Sequence, residues 1–185
     1  MTHTILFVPG LRDHVADHWQ TLLAAEIPGA RTVAPLEHDK LNCAARVAAL
    51  DAAIAAIEGP VALVAHSAGC LMVAHWAQRH ARPIMGAILA TPADIELPLP
   101  EGYPTAQALD ENGWLPLPKS RLPFRTLVAA SRNDPLGAYA RIDALAQGWG
   151  AEIVDLGDVG HLNPASGYGA WPAGHALIPW LGATA

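Results

Sequence analysis

The sequence is poor in charge, in cysteine and in long apolar runs, and each shortage excludes a class of protein. Only 15% of its 185 residues are charged and the formal net charge is −6, which argues against a nucleic-acid-binding surface. The two cysteines, Cys43 and Cys70, make neither a disulfide framework nor a metal pattern, so we expect reduced core thiols. No apolar run approaches the roughly 20 residues of a membrane span, and no membrane association is predicted.

The first residues also lack the features of a secretory signal. No basic segment precedes the apolar run at 5–8, and that run is shorter than the apolar part of a signal peptide. We therefore expect a cytoplasmic protein. Hydrophobic residues, in contrast, make up 52% of the chain, as in an α/β protein whose sheet is covered on both faces. At this length, residues 1–185 are expected to form a single domain.

One stretch organises the rest of the chain. Residues 61–70 read V-A-L-V-A-H-S-A-G-C, which is typical of a buried parallel strand that turns tightly into a helix. Ser67 lies at the turn in A-H-S-A-G, a variant of the G-x-S-x-G nucleophile elbow, where strand and helix almost touch and neighbours must be small. A serine at such a junction can also be a plain helix N-cap, but the strand before it favours a nucleophile.

Apolar runs alternate with amphipathic segments along the whole chain. We predict strands at 4–9, 30–34, 61–66, 84–90, 124–130 and 151–156. Helices are predicted at 15–26, 43–57, 137–149, 171–181 and between Ser67 and Pro83. This alternation predicts an α/β fold with a doubly wound parallel sheet of about six strands and helices on both faces. The segment 91–123 holds seven prolines and is expected to be a packed, mostly irregular excursion beside the active-site rim.

The residues that follow the strands supply the other groups of a hydrolytic triad. Because the carboxyl ends of parallel strands share one edge of a sheet, Ser67, Asp134 and His161 are expected to meet there. Their chain order, serine then acid then histidine, is that of an α/β-hydrolase. His161 would take the hydroxyl proton, and the carboxylate would fix the imidazole tautomer. Asp94 and Asp158 remain alternatives for the acid.

The same strand ends predict the groups around the reaction. The backbone N–H groups of Leu11 and Ala68 are expected to form the oxyanion hole, since negative charge develops on the attacked carbonyl oxygen. Trp19, Trp114 and Trp171 are predicted to bind substrate. Acyl transfer of this kind needs no cofactor, and none is predicted.

Two other readings of the sequence remain open. His14 and His18 have the four-residue spacing of metal ligands on a helix, but no third ligand accompanies them and we predict no metal. Alternatively, the fold could serve mainly as a protein-binding module that holds a partner on an apolar rim. That rim would consist of Trp19, Trp114, Tyr168 and Trp171.

Six segments spread over nearly the whole chain match one group of small hydrolases. They are F-V-P-G-L at 7–11, H-W-Q at 18–20, L-V-A-H-S-A-G-C at 63–70, T-P-A-D at 91–94, S-R-N-D-P at 131–135 and G-H-L-N-P-A-S-G-Y-G-A-W-P at 160–172. In these segments the chain resembles the retinoblastoma-binding-protein-9-like (YdeN-like) serine hydrolases of the α/β-hydrolase superfamily.

The resemblance implies both an activity and a site. It implies a carboxylesterase-like serine hydrolase without a substantial cap, with Ser67, Asp134 and His161 as the triad. Its expected substrate is a small carboxylic ester or related acyl compound, cleaved through an acyl-enzyme. Ala68 departs from the family pattern, in which a larger residue usually follows the serine, and this departure bears on pocket shape.

Overall fold

Six short apolar segments pair as parallel strands in one sheet, in the order β2-β1-β3-β4-β5-β6. The computed structural model describes residues 3–182. The strands are β1 (Thr4–Val8), β2 (Arg31–Thr32), β3 (Val61–His66), β4 (Ala87–Ala90), β5 (Thr126–Ala130) and β6 (Glu152–Asp155). The chain first moves outward from β1 to β2 and then returns to place β3 on the other side of β1. Ligand sites of such sheets lie at this reversal, beyond the carboxyl ends of the strands.

Helices cover both faces of the sheet, as the sequence predicts. They are α1 (Trp19–Glu26), α2 (Cys43–Ala55), α3 (Ala68–Ala77), α4 (Ala106–Glu111), α5 (Tyr139–Trp149) and α6 (Pro172–Leu177), with 3-10 turns at Pro164–Ser166 and Ile178–Gly182. The last predicted helix is therefore shorter than expected and continues as a 3-10 turn. Among residues 3–182, no helix has the length and hydrophobicity needed to cross a bilayer.

The side chains of β1 show how the two faces are built. Leu6 and Val8 point into the larger core layer, which packs against α2, α3 and α5. Ile5 and Phe7 point into the smaller layer, which contains residues of α1 and of the C-terminal segment. Successive strand residues alternate between faces, so a fully apolar strand is what a sheet covered on both sides requires.

The segment 91–123 is packed and largely irregular, as predicted, but it contains a helix that the sequence reading missed. Thr105 caps α4 by accepting a hydrogen bond on Oγ1 from the Ala108 N–H at 3.1 Å. The prolines at 104 and 116 flank this helix and do not interrupt it. Leu109 of α4 and Trp114 are both buried in the larger core layer, so the segment is held against the carboxyl edge of the sheet.

Candidate active site

Ser67 lies in the sharp turn between β3 and α3. Its φ of 56° and ψ of −128° place a non-glycine residue in a costly backbone region, as is common at functional sites. The turn is so tight that a Cβ on Gly69 would lie 2.2 Å from the Val8 carbonyl oxygen. Only glycine fits at that position, which explains the small residue required two places after the serine.

Three side chains from different strand ends meet at this turn. His161 Nε2 lies 2.8 Å from Ser67 Oγ. On the other side of the ring, Nδ1 lies 2.9 Å from Asp134 Oδ2 and 3.0 Å from Oδ1. Asp134 is oriented in turn by the Leu136 N–H, which donates to Oδ1 at 2.8 Å. This geometry allows a hydroxyl proton to pass to an imidazole whose tautomer is set by a carboxylate.

The other two aspartates considered for the acid lie elsewhere. Asp94 is engaged by the Arg141 guanidinium, whose Nη2 donates to Oδ1 at 3.1 Å and whose Nε also donates to the carboxylate. Asp158 is exposed. Of the three candidates, Asp134 is the one that the structure places against His161.

The two predicted oxyanion donors flank Ser67. Ala68 is the first residue of α3, so its N–H has no acceptor within the helix and lies at the positive end of the helix dipole. Leu11 follows Gly10 in a turn closed by the Asp13 N–H, which donates to the Gly10 carbonyl at 3.1 Å. A Cβ on Gly10 would lie 3.1 Å from Ser67 Cβ, so this turn packs directly against the serine.

Ser67 and His161 open onto a cavity of about 380 Å³, a size typical of small-molecule sites. Most of its wall is apolar, and much of that wall comes from the excursion 91–123. The main apolar contributors are Leu11, Val15, Leu41, Ile95, Leu99, Tyr103, Leu109, Trp114 and Leu136. Ser67 and His161 therefore line a largely apolar chamber.

A serine hydrolase family profile matches residues 5–180. The chain belongs to the serine hydrolase family. One similar solved structure is that of a YdeN-like hydrolase from Pectobacterium atrosepticum, with 30% identity, coverage of 97% of this chain and 91% of that chain, and a TM-score of 0.83. This match and the family profile confirm the YdeN-like resemblance.

More distant solved structures share only their fold with this serine hydrolase. The ydeN gene product of B. subtilis is 18% identical, with coverage of 97% and 98% of the two chains and a TM-score of 0.76. Mouse alpha/beta hydrolase domain-containing protein 10 is 17% identical, with coverage of 87% and 82% and a TM-score of 0.67. No protein with a curated description matches the sequence.

The loop that carries His161 in this serine hydrolase is held by buried polar contacts. The His161 N–H donates to Ser166 Oγ at 3.0 Å. The His161 carbonyl accepts from His66 Nε2 at 2.9 Å and from Thr91 Oγ1 at 3.4 Å. The ring of His66, the residue before Ser67, thus anchors the backbone of the histidine that faces Ser67.

The imidazole rings of His18 and His66 lie together beside His161. Their ring centroids lie 4.6 Å apart, and the His66 and His161 centroids lie 4.9 Å apart. Burial, and next the nearby His161, lowers the pKa of His18 to about 4, against a smaller opposing effect of Asp17. Burial also lowers the pKa of His66 well below its ordinary value, with His161 and His18 adding to the effect.

The prediction that Trp19 and Trp171 bind substrate is wrong. Both rings lie in the smaller core layer, on the far side of the sheet from most of the cavity wall, with centroids 4.8 Å apart. Trp114 does line the cavity. Its Nε1 donates to the Leu41 carbonyl at 2.6 Å, and its side chain is a fixed part of the wall.

The apolar rim proposed for protein binding is therefore not exposed. Trp19, Trp114 and Trp171 are 1%, 0% and 7% exposed, and Tyr168 is half-buried against the smaller core layer. The sequence does not show which face of a helix meets the sheet. It therefore could not distinguish buried aromatic residues from exposed ones.

His14 and His18 do not share a helix face. Helix α1 begins at Trp19, and His18 is its N-cap, with Nδ1 accepting from the Gln20 N–H at 3.2 Å. His14 lies in the preceding loop and is exposed. Over the described range 3–182, no group of three histidine, cysteine or acidic side chains is placed to hold a metal ion.

Proposed function

We propose that this serine hydrolase cleaves small carboxylic esters or related acyl compounds through an acyl-enzyme on Ser67. The observation that carries the proposal is the hydrogen-bonded series from Ser67 Oγ to His161 Nε2, 2.8 Å, and from His161 Nδ1 to Asp134 Oδ2, 2.9 Å. A single domain, residues 1–185, would perform this reaction with no cofactor and no protein partner.

The proposed reaction begins with attack of Ser67 Oγ on the acyl carbon while His161 Nε2 takes the hydroxyl proton. Negative charge on the carbonyl oxygen is stabilised by the N–H groups of Leu11 and Ala68. His161 then gives its proton to the departing alcohol oxygen as the ester bond breaks. Water attacks the acyl-enzyme, again losing a proton to His161, and release of the acid restores Ser67. Asp134 keeps Nδ1 protonated and stabilises the imidazolium.

The shape of the cavity supports an apolar acyl group. The chamber beside Ser67 is lined mainly by leucine, isoleucine and aromatic side chains, which lose contact with water when a hydrocarbon chain enters. Each buried methylene is worth about 0.8 kcal/mol. We therefore expect kcat/KM to rise with acyl length until the chamber is filled.

A fluorophosphonate probe tests the proposal, because it reacts with an activated serine hydroxyl. We expect labelling of the wild-type protein, loss of labelling in Ser67→Ala, and unchanged labelling in the matched control Ser120→Ala. Ser120 is an exposed serine that accepts a hydrogen bond from Gln78 Nε2. Hydrolysis of p-nitrophenyl esters by the same three proteins should follow the labelling. Labelling or turnover that persists in Ser67→Ala, or is absent from the wild type, would refute the proposed function.

A further inference from the structure

Arg46 is a buried cation beside the turn that carries the proposed oxyanion donor Leu11. It belongs to the first half of α2 and is 3% exposed. Its Nη1 lies 2.9 Å from Asp13 Oδ1, so its charge is balanced by a carboxylate of the same turn. Burying a guanidinium is costly unless it is paired and hydrogen-bonded. Arg46 meets both conditions through Asp13 and through backbone carbonyl groups.

The remaining donors of Arg46 bind backbone carbonyls. Nη2 donates to the Leu11 carbonyl at 3.0 Å, and Nη1 donates to the Gly10 carbonyl at 3.4 Å. Nε donates to the Lys40 carbonyl. The Gly10 carbonyl also accepts from the Asp13 N–H at 3.1 Å. The guanidinium thus holds the Gly10–Leu11 peptide from its carbonyl side.

The planarity of that peptide has a consequence for catalysis. In a trans peptide the C=O and the N–H point in opposite directions. Because the Gly10 carbonyl points toward Arg46 and the Asp13 N–H, the Leu11 N–H points away from them. Within residues 3–182 that N–H donates to no protein acceptor. Gly10, on one side of this peptide, packs against Ser67, and Leu11, on the other side, lines the cavity. The Leu11 N–H therefore belongs to a peptide that borders both.

We propose that Arg46 is a positioning residue, which aims the Leu11 N–H at the carbonyl oxygen of the bound acyl group. The inference rests on the proposed function, since it assigns Leu11 to the oxyanion hole. Arg46 touches neither Ser67 nor the substrate and acts through the Gly10–Leu11 peptide. A lysine could keep the ion pair with Asp13, but its single ammonium could not reproduce the guanidinium fork that spans three carbonyls.

The test compares Arg46→Lys with Arg82→Lys. Arg82 is a matched control because it also donates to three backbone carbonyls, those of Ile54, Ile57 and Gly59, away from the cavity. Both variants should lose stability. Only Arg46→Lys should lose kcat, by about 10-fold or more and with KM little changed, because an oxyanion donor acts in the transition state. Asp13→Asn, which loosens Arg46 without emptying its site, should lower kcat in the same direction.

A second measurement separates positioning from general loosening of the fold. Leu11 occupies the second position of a turn closed by the Asp13 N–H, where proline is favoured, so Leu11→Pro removes the N–H at a position suited to proline. We expect Leu11→Pro alone to lower kcat by about 10²–10³-fold, the cost of one oxyanion donor. Adding Arg46→Lys to Leu11→Pro should then lower kcat no further, because the donor that Arg46 aims is already gone.

The outcomes distinguish this inference from the proposed function. If the wild type shows no Ser67-dependent turnover, the proposed function fails and the inference falls with it. If the wild type is active but Arg46→Lys and Asp13→Asn retain kcat to the same degree as Arg82→Lys, the inference alone is overturned. Fully additive losses in the Arg46→Lys, Leu11→Pro pair would overturn it as well.

Discussion

Acidification is expected to destabilise this serine hydrolase through His18 and His66. Both imidazoles are buried beside His161, and burial lowers both pKa values below the ordinary value of 6.5. In the unfolded chain the same groups bind protons near pH 6.5. Between that value and the lower folded pKa the unfolded state therefore holds more protons, and stability falls as pH falls. Above about pH 6.5 the contribution of both groups is constant.

The magnitude follows from the size of the shift. For His18 the pKa falls from 6.5 to about 4. Each unit corresponds to about 1.4 kcal/mol, so His18 contributes at most about 3–4 kcal/mol to the loss. Screening reduces this figure because the ring borders the open cavity. His66 acts in the same direction. Even a fraction of the His18 contribution is appreciable beside the roughly 5–15 kcal/mol that stabilises a typical domain.

Urea unfolding at several pH values from about 7.5 to about 4.5 measures this dependence. His18→Asn keeps a side chain able to cap α1 but removes the titrating ring. His66→Gln keeps an amide donor for the His161 carbonyl. We expect both variants to lose less stability than the wild type on acidification. His80→Gln is the control, since that histidine is partly exposed beside Asp51. A pH dependence unchanged in both His18→Asn and His66→Gln would refute the reasoning.

Four further results are expected. Asp134→Asn should lower kcat by up to ~10⁴ by favouring the wrong His161 tautomer, whereas Asp94→Asn should stay near wild type in initial-rate assays; the reverse result would reassign the acid. Gly69→Ala should fail to give folded protein by circular dichroism, since its Cβ would overlap the Val8 carbonyl. Leu99→Trp should shift the preferred p-nitrophenyl ester to a shorter acyl chain by filling the cavity. Trp171→Ala should lower stability by about 3–5 kcal/mol in urea with KM unchanged, and a raised KM would restore its role in substrate binding.

The fold class followed from local patterns, and the structure and its relatives confirm it. The run 61–65 is apolar at every position because β3 is buried on both faces. Asn42, a residue type preferred at helix N-caps, accepts the Ala45 N–H at the start of α2 at 2.9 Å. The helix α4 was missed because it is only six residues long and lies between prolines, where weak local propensity is decided by packing.

Ser67, Asp134 and His161 could be proposed together from the sequence because parallel strands bring their carboxyl ends to one edge whatever the loops between them do. Chain order and strand position were sufficient for that step. The roles of Trp19, His66 and Arg46 were not accessible in the same way. Each of these residues contacts a group that is distant along the chain. Trp19 packs against Trp171, His66 donates to the His161 carbonyl, and Arg46 binds the turn 10–13. Sequence periodicity reports that a residue is apolar or placed at a strand end, but only tertiary packing selects its partner.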